Sequence, residues 1–148
     1  MKTRNKRLII VIFSISIMSI FLTSVSAGSK SGGIGPPGGT YFCETTLSSA
    51  KTSISPPSGY HAIASITATY TFANPNPPFN TLQGIKTGSN GGPGVGISAT
   101  ITVTAASARL MNPSIPTNWP AVYGGSVHTG SIKLGSDTHT LNISTNSN

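Results

Sequence analysis

From Tyr60 to Ala73 the chain alternates residue by residue. Tyr60, Ala62, Ala64, Ile66, Ala68, Tyr70 and Phe72 fall on one side, and His61, Ile63, Ser65, Thr67, Thr69 and Thr71 on the other. Period two is the mark of an extended strand with one buried and one solvated face, the habit of antiparallel sheets. Val95 to Ala105 repeats the scheme, with Ile97, Ala99, Ile101 and Val103 inward and Ser98, Thr100, Thr102 and Thr104 outward. Weaker strands are expected at Tyr41–Leu47, Ala50–Ser55, Leu82–Thr87 and around Arg109–Met111.

The intervening segments are turn-forming. Ser55-Pro56-Pro57-Ser58-Gly59, Asn74 to Pro78 and Asn112 to Pro120 are rich in proline, which cannot donate to a central ladder. Gly88 to Gly94 reads as a glycine-rich loop. Short strands separated by Gly/Pro turns predict an antiparallel β-sandwich, Ig-like or jelly-roll-like, of about seven or eight strands. Its last hairpin is legible in register: Gly124–Leu134 and Asp137–Thr145 flank Gly135-Ser136, a pair suited to a two-residue type II′ turn. Leu134 then pairs with Asp137, Ile132 with His139, Gly130 with Leu141 and His128 with Ile143. Ile132, Leu134, Leu141 and Ile143 share the buried face, which resists a one-residue slip.

The N-terminus has the anatomy of a secretory signal peptide over residues 1–27. Lys2, Arg4, Lys6 and Arg7 precede an apolar run from Leu8 to about Leu22, and Val25-Ser26-Ala27 supplies the small residues of a cleavage site between Ala27 and Gly28. The run is shorter than the roughly 20 apolar residues of a spanning helix. The mature chain is expected to be secreted, extracellular or associated with a cell surface. Residues 28–39, GSKSGGIGPPGG, read as a flexible arm. Residues 40–145 read as the sandwich domain and residues 146–148 as a polar tail.

Removing residues 1–27 also removes four of the nine basic residues. Lys30, Lys51, Lys86, Arg109 and Lys133 remain against Glu44 and Asp137; five minus two is a net charge of +3. Five scattered cations form neither a nucleic-acid footprint nor a polybasic membrane patch. No nucleic-acid partner and no stable membrane insertion of the mature chain are expected. Cys43 is the only cysteine. In an oxidising compartment it is a candidate for an intermolecular disulfide and a Cys43-linked homodimer, set against the plainer reading of a small buried side chain.

Catalytic constellations do not assemble. Asp137 and His139 lie two residues apart beside a turn, with no nucleophile-elbow motif to supply a serine. Glu44 and Asp137 are the only carboxylic side chains for a glycosidase pair. His128 and His139 are offset by over about 10 Å in the hairpin register, too far for one metal ion, and are expected at the margins of the apolar face. Gly94-Val95-Gly96-Ile97-Ser98-Ala99 matches G-x-G-x-x-A but lacks the following helix that the dinucleotide fingerprint needs. No enzyme activity and no cofactor are expected.

Two features point outward. The Thr67/Thr69/Thr71 and Thr100/Thr102/Thr104 stripes resemble the threonine ladders of ice-binding proteins, which imply a water-ordering surface; threonine also simply suits a solvated pleated face. Tyr60, Phe79, Trp119 and Tyr123 sit on or beside expected loops, where aromatics either contact a protein or glycan partner or plug the ends of a sandwich. The leading expectation is a non-catalytic binding or assembly module for an extracellular protein or glycan. The alternative is a small secreted antimicrobial or toxin-like effector acting on membranes or competitor cells.

Overall fold

The computed structural model of the chain describes residues 27–147. Of the signal peptide expected over residues 1–27, residues 1–26 lie outside the described residues. Among the described residues, eight strands and one short helix follow one another: β1 (Gly28–Ile34), β2 (Gly39–Thr45), β3 (Ser49–Ser55), β4 (His61–Ala73), β5 (Thr81–Gly91), β6 (Ala99–Thr104), α1 (Ala105–Leu110), β7 (Ala121–Leu134) and β8 (Asp137–Asn146). They form two four-stranded antiparallel sheets, ordered β1-β2-β3-β6 and β5-β4-β7-β8. The sheets pack in a sandwich-like arrangement, with β3 facing β4 and β7; β1 lies beside β8 and β5 beside β6 along the two sides.

The alternation of β4 is realised residue for residue: Ala62, Ala64, Ile66, Ala68, Tyr70 and Phe72 are buried, while their neighbours face outward. The β7–β8 hairpin has the expected register, from Leu134 opposite Asp137 to His128 opposite Ile143. Gly135 carries the positive φ of 59° that a type II′ turn needs at its first central position. Ile132 and Leu141 are buried as the hairpin pattern requires, whereas Leu134, beside the turn, is half exposed.

Five sequence expectations are corrected. Residues 28–39 are not an arm: Gly28–Ile34 pairs along its whole length with β2, anchored by buried Ile34, and Gly35 and Gly38 close the turn at positive φ. Ladder hydrogen bonds come from the backbone, so a side-chain-poor segment can still complete a sheet. Its glycines also permit contact that side chains would block, since a Cβ on Gly28 would run into the Asn146 carbonyl of β8. Asn146 and Ser147 of the expected polar tail are likewise engaged, Asn146 as the last residue of β8. The buried Ser147 donates its N–H to the Gly124 carbonyl at 2.8 Å, and its Oγ accepts from the Gly124 N–H at 2.8 Å.

The strand expected around Arg109–Met111 is helix α1. Its Ala105-Ala106-Ser107-Ala108 run has no β-branched residue, and Thr104 and Ser107 cap it reciprocally, each backbone N–H donating to the other's hydroxyl. The strand expected from Val95 begins only at Ala99. Gly96 turns the chain at φ 73°, the Gly96 N–H donates to the Tyr60 carbonyl, and Ile97 is exposed rather than inward. The glycines at 88 and 91 belong to β5, not to a loop; a bare Gly88 leaves room for Ile101 and Val103 of β6.

The apolar interior forms two clusters. One gathers Ala50, Ile66, Tyr70, Phe72, Val103 and Ile115, with Trp119 packed against it. The other holds Ile34, Cys43, Ile54, Ala64, Ile132 and Leu141. Thr52 of β3 lies in sequence between Ala50 of the first and Ile54 of the second, and it begins a polar spine.

Candidate functional site

The spine crosses the sandwich. Thr45 Oγ1 of β2 and Thr145 Oγ1 of β8 are 2.6 Å apart; Thr145 Oγ1 is 2.6 Å from His128 Nε2 of β7. His128 Nδ1 is 2.7 Å from Thr52 Oγ1 of β3, whose hydroxyl donates to the Ser65 carbonyl of β4 at 3.3 Å. Each proton is used once if Thr45 donates to Thr145, Thr145 to His128 Nε2, and His128 Nδ1–H to Thr52. The imidazole is therefore neutral with its proton on Nδ1. His128 is fully buried, and burial pushes its pKa down to about 4. This corrects the expectation that it sits at the margin of the apolar face. Alternation places His128 inward, but nothing local reveals Thr45, Thr52 and Thr145 as its neighbours.

His139 does lie at the rim, half-buried, with Nε2 3.0 Å from Asp137 Oδ1. Tyr60 Oη donates to Asp137 Oδ2. That hydrogen bond, assisted by His139, holds the exposed Asp137 carboxyl below its ordinary value and raises the Tyr60 phenol. Asp137, His139 and Tyr60 thus tie the β7–β8 turn to the start of β4. Gly35 lies against the His139 ring, adding the β1–β2 turn. Among the described residues no hydroxyl is hydrogen-bonded to His139, so the pair lacks a nucleophile to activate. Also among the described residues, no group of three or more His, Cys, Asp or Glu could hold a metal ion.

Cys43 is 0 % exposed on the inner face of β2, and burial pushes its thiol up to about 11. A Cys43-linked dimer would require this sulfur to leave the core, so the folded domain does not present it for bridging.

The four candidate aromatics do not converge. Tyr60 precedes β4 at one end of the sandwich. Phe79 and Trp119 lie at the other, where the Ala73 N–H donates to the Pro120 carbonyl and the Asn74 N–H to the Asn80 carbonyl. Phe79 is exposed on a turn, at φ 55°. Trp119 is partly buried against the first core cluster, and Arg109 sets its loop. The guanidinium stacks over Phe72 at 4.7 Å from the ring centroid and donates to the Thr117 and Trp119 carbonyls. Replacing Arg109 by alanine is expected to cost about 2 kcal/mol, from two charge-assisted hydrogen bonds and the stacking contact. Thermal unfolding checks the loss, and the chain's only tryptophan should show a red-shifted emission as Trp119 gains water.

Tyr123 borders a groove. On the outer surface of the second sheet, Thr69 stands opposite Gly125 and Thr67 opposite Val127; β8 continues the rows with Asn146 and Ser144. These side chains and Tyr123 border a depression of about 430 Å³. Gly125 forms its floor, and the Tyr123 ring tip lies over that glycine, 3.4 Å from where a Cβ would stand. Tyr123 and Val127 are each nearly half exposed. Sequence reasoning isolated Thr67, Thr69 and Tyr123 separately; it missed Gly125, Ser144 and Asn146, which join them only through strand pairing.

The two threonine stripes lie on opposite outer faces, since β4 and β6 belong to different sheets. Thr100 spends its hydroxyl on Ser53 Oγ at 2.9 Å. The stripes therefore do not make one continuous ladder. Among the described residues, no helix is long and apolar enough to cross a membrane. No protein-family model matches the chain, and no curated protein matches it significantly.

Proposed function

We propose that this chain is exported, cleaved between Ala27 and Gly28, and acts outside the cell or at its surface as a non-catalytic binding module of Ig-like or jelly-roll-like type. The groove at Tyr123 is the observation that carries the binding role: an exposed aromatic beside a glycine floor, ringed by hydroxyl and amide side chains. Export is supported by the tripartite N-terminus and by the start of β1 at Gly28, the residue that would follow cleavage.

Two measurements test the reading. N-terminal sequencing of the extracellular or envelope-bound protein should begin at Gly28; a protein retaining residues 1–27 overturns cleavage. The purified protein should be retained by cell-envelope preparations, and Tyr123→Ala should reduce retention about tenfold with an unchanged melting temperature, as befits an exposed contact aromatic. Equal retention of the variant removes the groove from the binding role. Trp119→Ala is the poorer probe, because Trp119 packs on the core and its loss destabilises the fold.

A further inference from the structure

We propose that the ligand of the Tyr123 groove is a neutral oligosaccharide; the inference rests on the binding-module reading and deepens it. Three properties of the groove select this chemistry. The first is charge: among the described residues, no carboxylate, amine or guanidinium side chain lines the depression. An anionic polysaccharide, a nucleic acid or a phosphorylated ligand would be desolvated there without a counter-charge. The hydroxyls of Thr67, Thr69 and Ser144 and the amide of Asn146 each donate and accept, as sugar hydroxyls do.

The second is the strand position. β4 and β7 are the two interior strands of their sheet, and each is paired on both sides. Their backbone has no ladder left for an extended peptide, the usual way a sheet recruits a protein segment. β8, which adds Ser144 and Asn146, is an edge strand, and β1 lies beside it with Gly28 against the Asn146 carbonyl. On β4 and β7 recognition falls to side chains. The third is size. A volume of about 430 Å³ lies within the roughly 300–1,000 Å³ of small-molecule sites. A stable protein interface takes about 20–30 residues a side, whereas nine residues line this groove.

Within the groove the Tyr123 ring supplies an apolar platform for the C–H face of a pyranose. Gly125 keeps the floor low enough for the ring edge and the sugar to meet. Thr69 and Asn146 flank the glycine in one row, and Thr67 and Ser144 flank Val127 in the next, within reach of the ring's hydroxyls.

The test uses protein exported from the full-length chain and titrated calorimetrically with uncharged hexasaccharides: α- and β-linked glucose, β-linked mannose and xylose, and β-linked N-acetylglucosamine. At least one is expected to bind with a Kd of about 10 µM to 1 mM, unchanged between low and high salt because no charge takes part. Tyr123→Ala should lose that affinity at least about tenfold and Tyr123→Phe should keep it. Gly125→Val should abolish it by filling the floor, with circular dichroism unchanged. Should no hexasaccharide bind while envelope retention persists and responds to Tyr123→Ala, the saccharide assignment is overturned and the module reading survives. Absence of both binding and retention overturns both. Binding that weakens steeply with salt, or that is indifferent to Tyr123 and Gly125, also overturns the assignment.

Discussion

Lowering the pH from 6.5 to 4 should strip about 3 kcal/mol of stability from this domain, and His128 should account for it. The imidazole titrates near its ordinary 6.5 when unfolded but is held at about 4 by burial in the fold. Between those values the unfolded chain binds more protons, so stability is complete above pH 6.5 and falls as the solution is acidified, levelling below about pH 4. Two and a half pKa units at about 1.36 kcal/mol each set the size of the loss. The cause is desolvation. The groups against the ring are the hydroxyls of Thr52 and Thr145, and neither can compensate a positive charge fully. Denaturant melts at pH 7.5, 5.5 and 4 measure the slope. His128→Leu should be less stable at neutral pH, since Thr145 and Thr52 lose a partner. Its stability should be nearly flat across that window. Parallel pH slopes for wild type and variant would assign the effect elsewhere. Asp137 contributes in a different range: its depressed carboxyl favours the fold above the ordinary value of 3.8, and that contribution disappears only as the pH falls through the folded pKa.

Gly130→Ala is expected to be among the most damaging single methyls in the molecule, costing about 3 kcal/mol or preventing folding. Gly130 faces inward on β7, between Ala64 and Leu141. A Cβ there would run into Ile54 Cδ1 of the opposite sheet and into the Ile63 carbonyl of the adjacent strand. The first obstacle is the end of a side chain and can be removed; the second is backbone and cannot. Ile54→Val in the Gly130→Ala background should therefore recover part of the stability, a coupling that a double-mutant cycle detects. Gly135→Ala serves as the contrast. That glycine has φ 59° but nothing within 4 Å, so it should lose only about 1 kcal/mol through backbone strain. If Gly130→Ala melts like wild type, the sheets are not as close at this point as the packing of Ile54 requires.

What could be read beforehand follows the range of the forces involved. The strand β4 and the β7–β8 hairpin were legible because a pleat reverses every residue and a two-residue turn sets its own register. Both are local rules. The strand β1 was not legible, because Gly-Ser composition resembles a linker and only the neighbouring β2 makes it a strand. Helix α1 left a faint signal, the Thr104-x-x-Ser107 cap ahead of an alanine run, which the preceding alternation obscured. Ile97 had the inward phase, but Gly96 breaks the strand before it.

The candidate site divides the same way. Tyr123 and the Thr67/Thr69 pair could be placed on a solvated face from their own segments. That Gly125, Ser144 and Asn146 adjoin them depends on β7 lying between β4 and β8, a matter of non-local pairing. Alternation is a property of consecutive residues, so a domain of strands and the apolar face of β4, β7 and β8 were readable from the chain. Which strands are neighbours depends on pairing between distant segments. That choice buries His128 between Thr52 and Thr145 and opens a groove beside Tyr123, since residues as far apart as Thr45 and Thr145 meet only when two sheets stack.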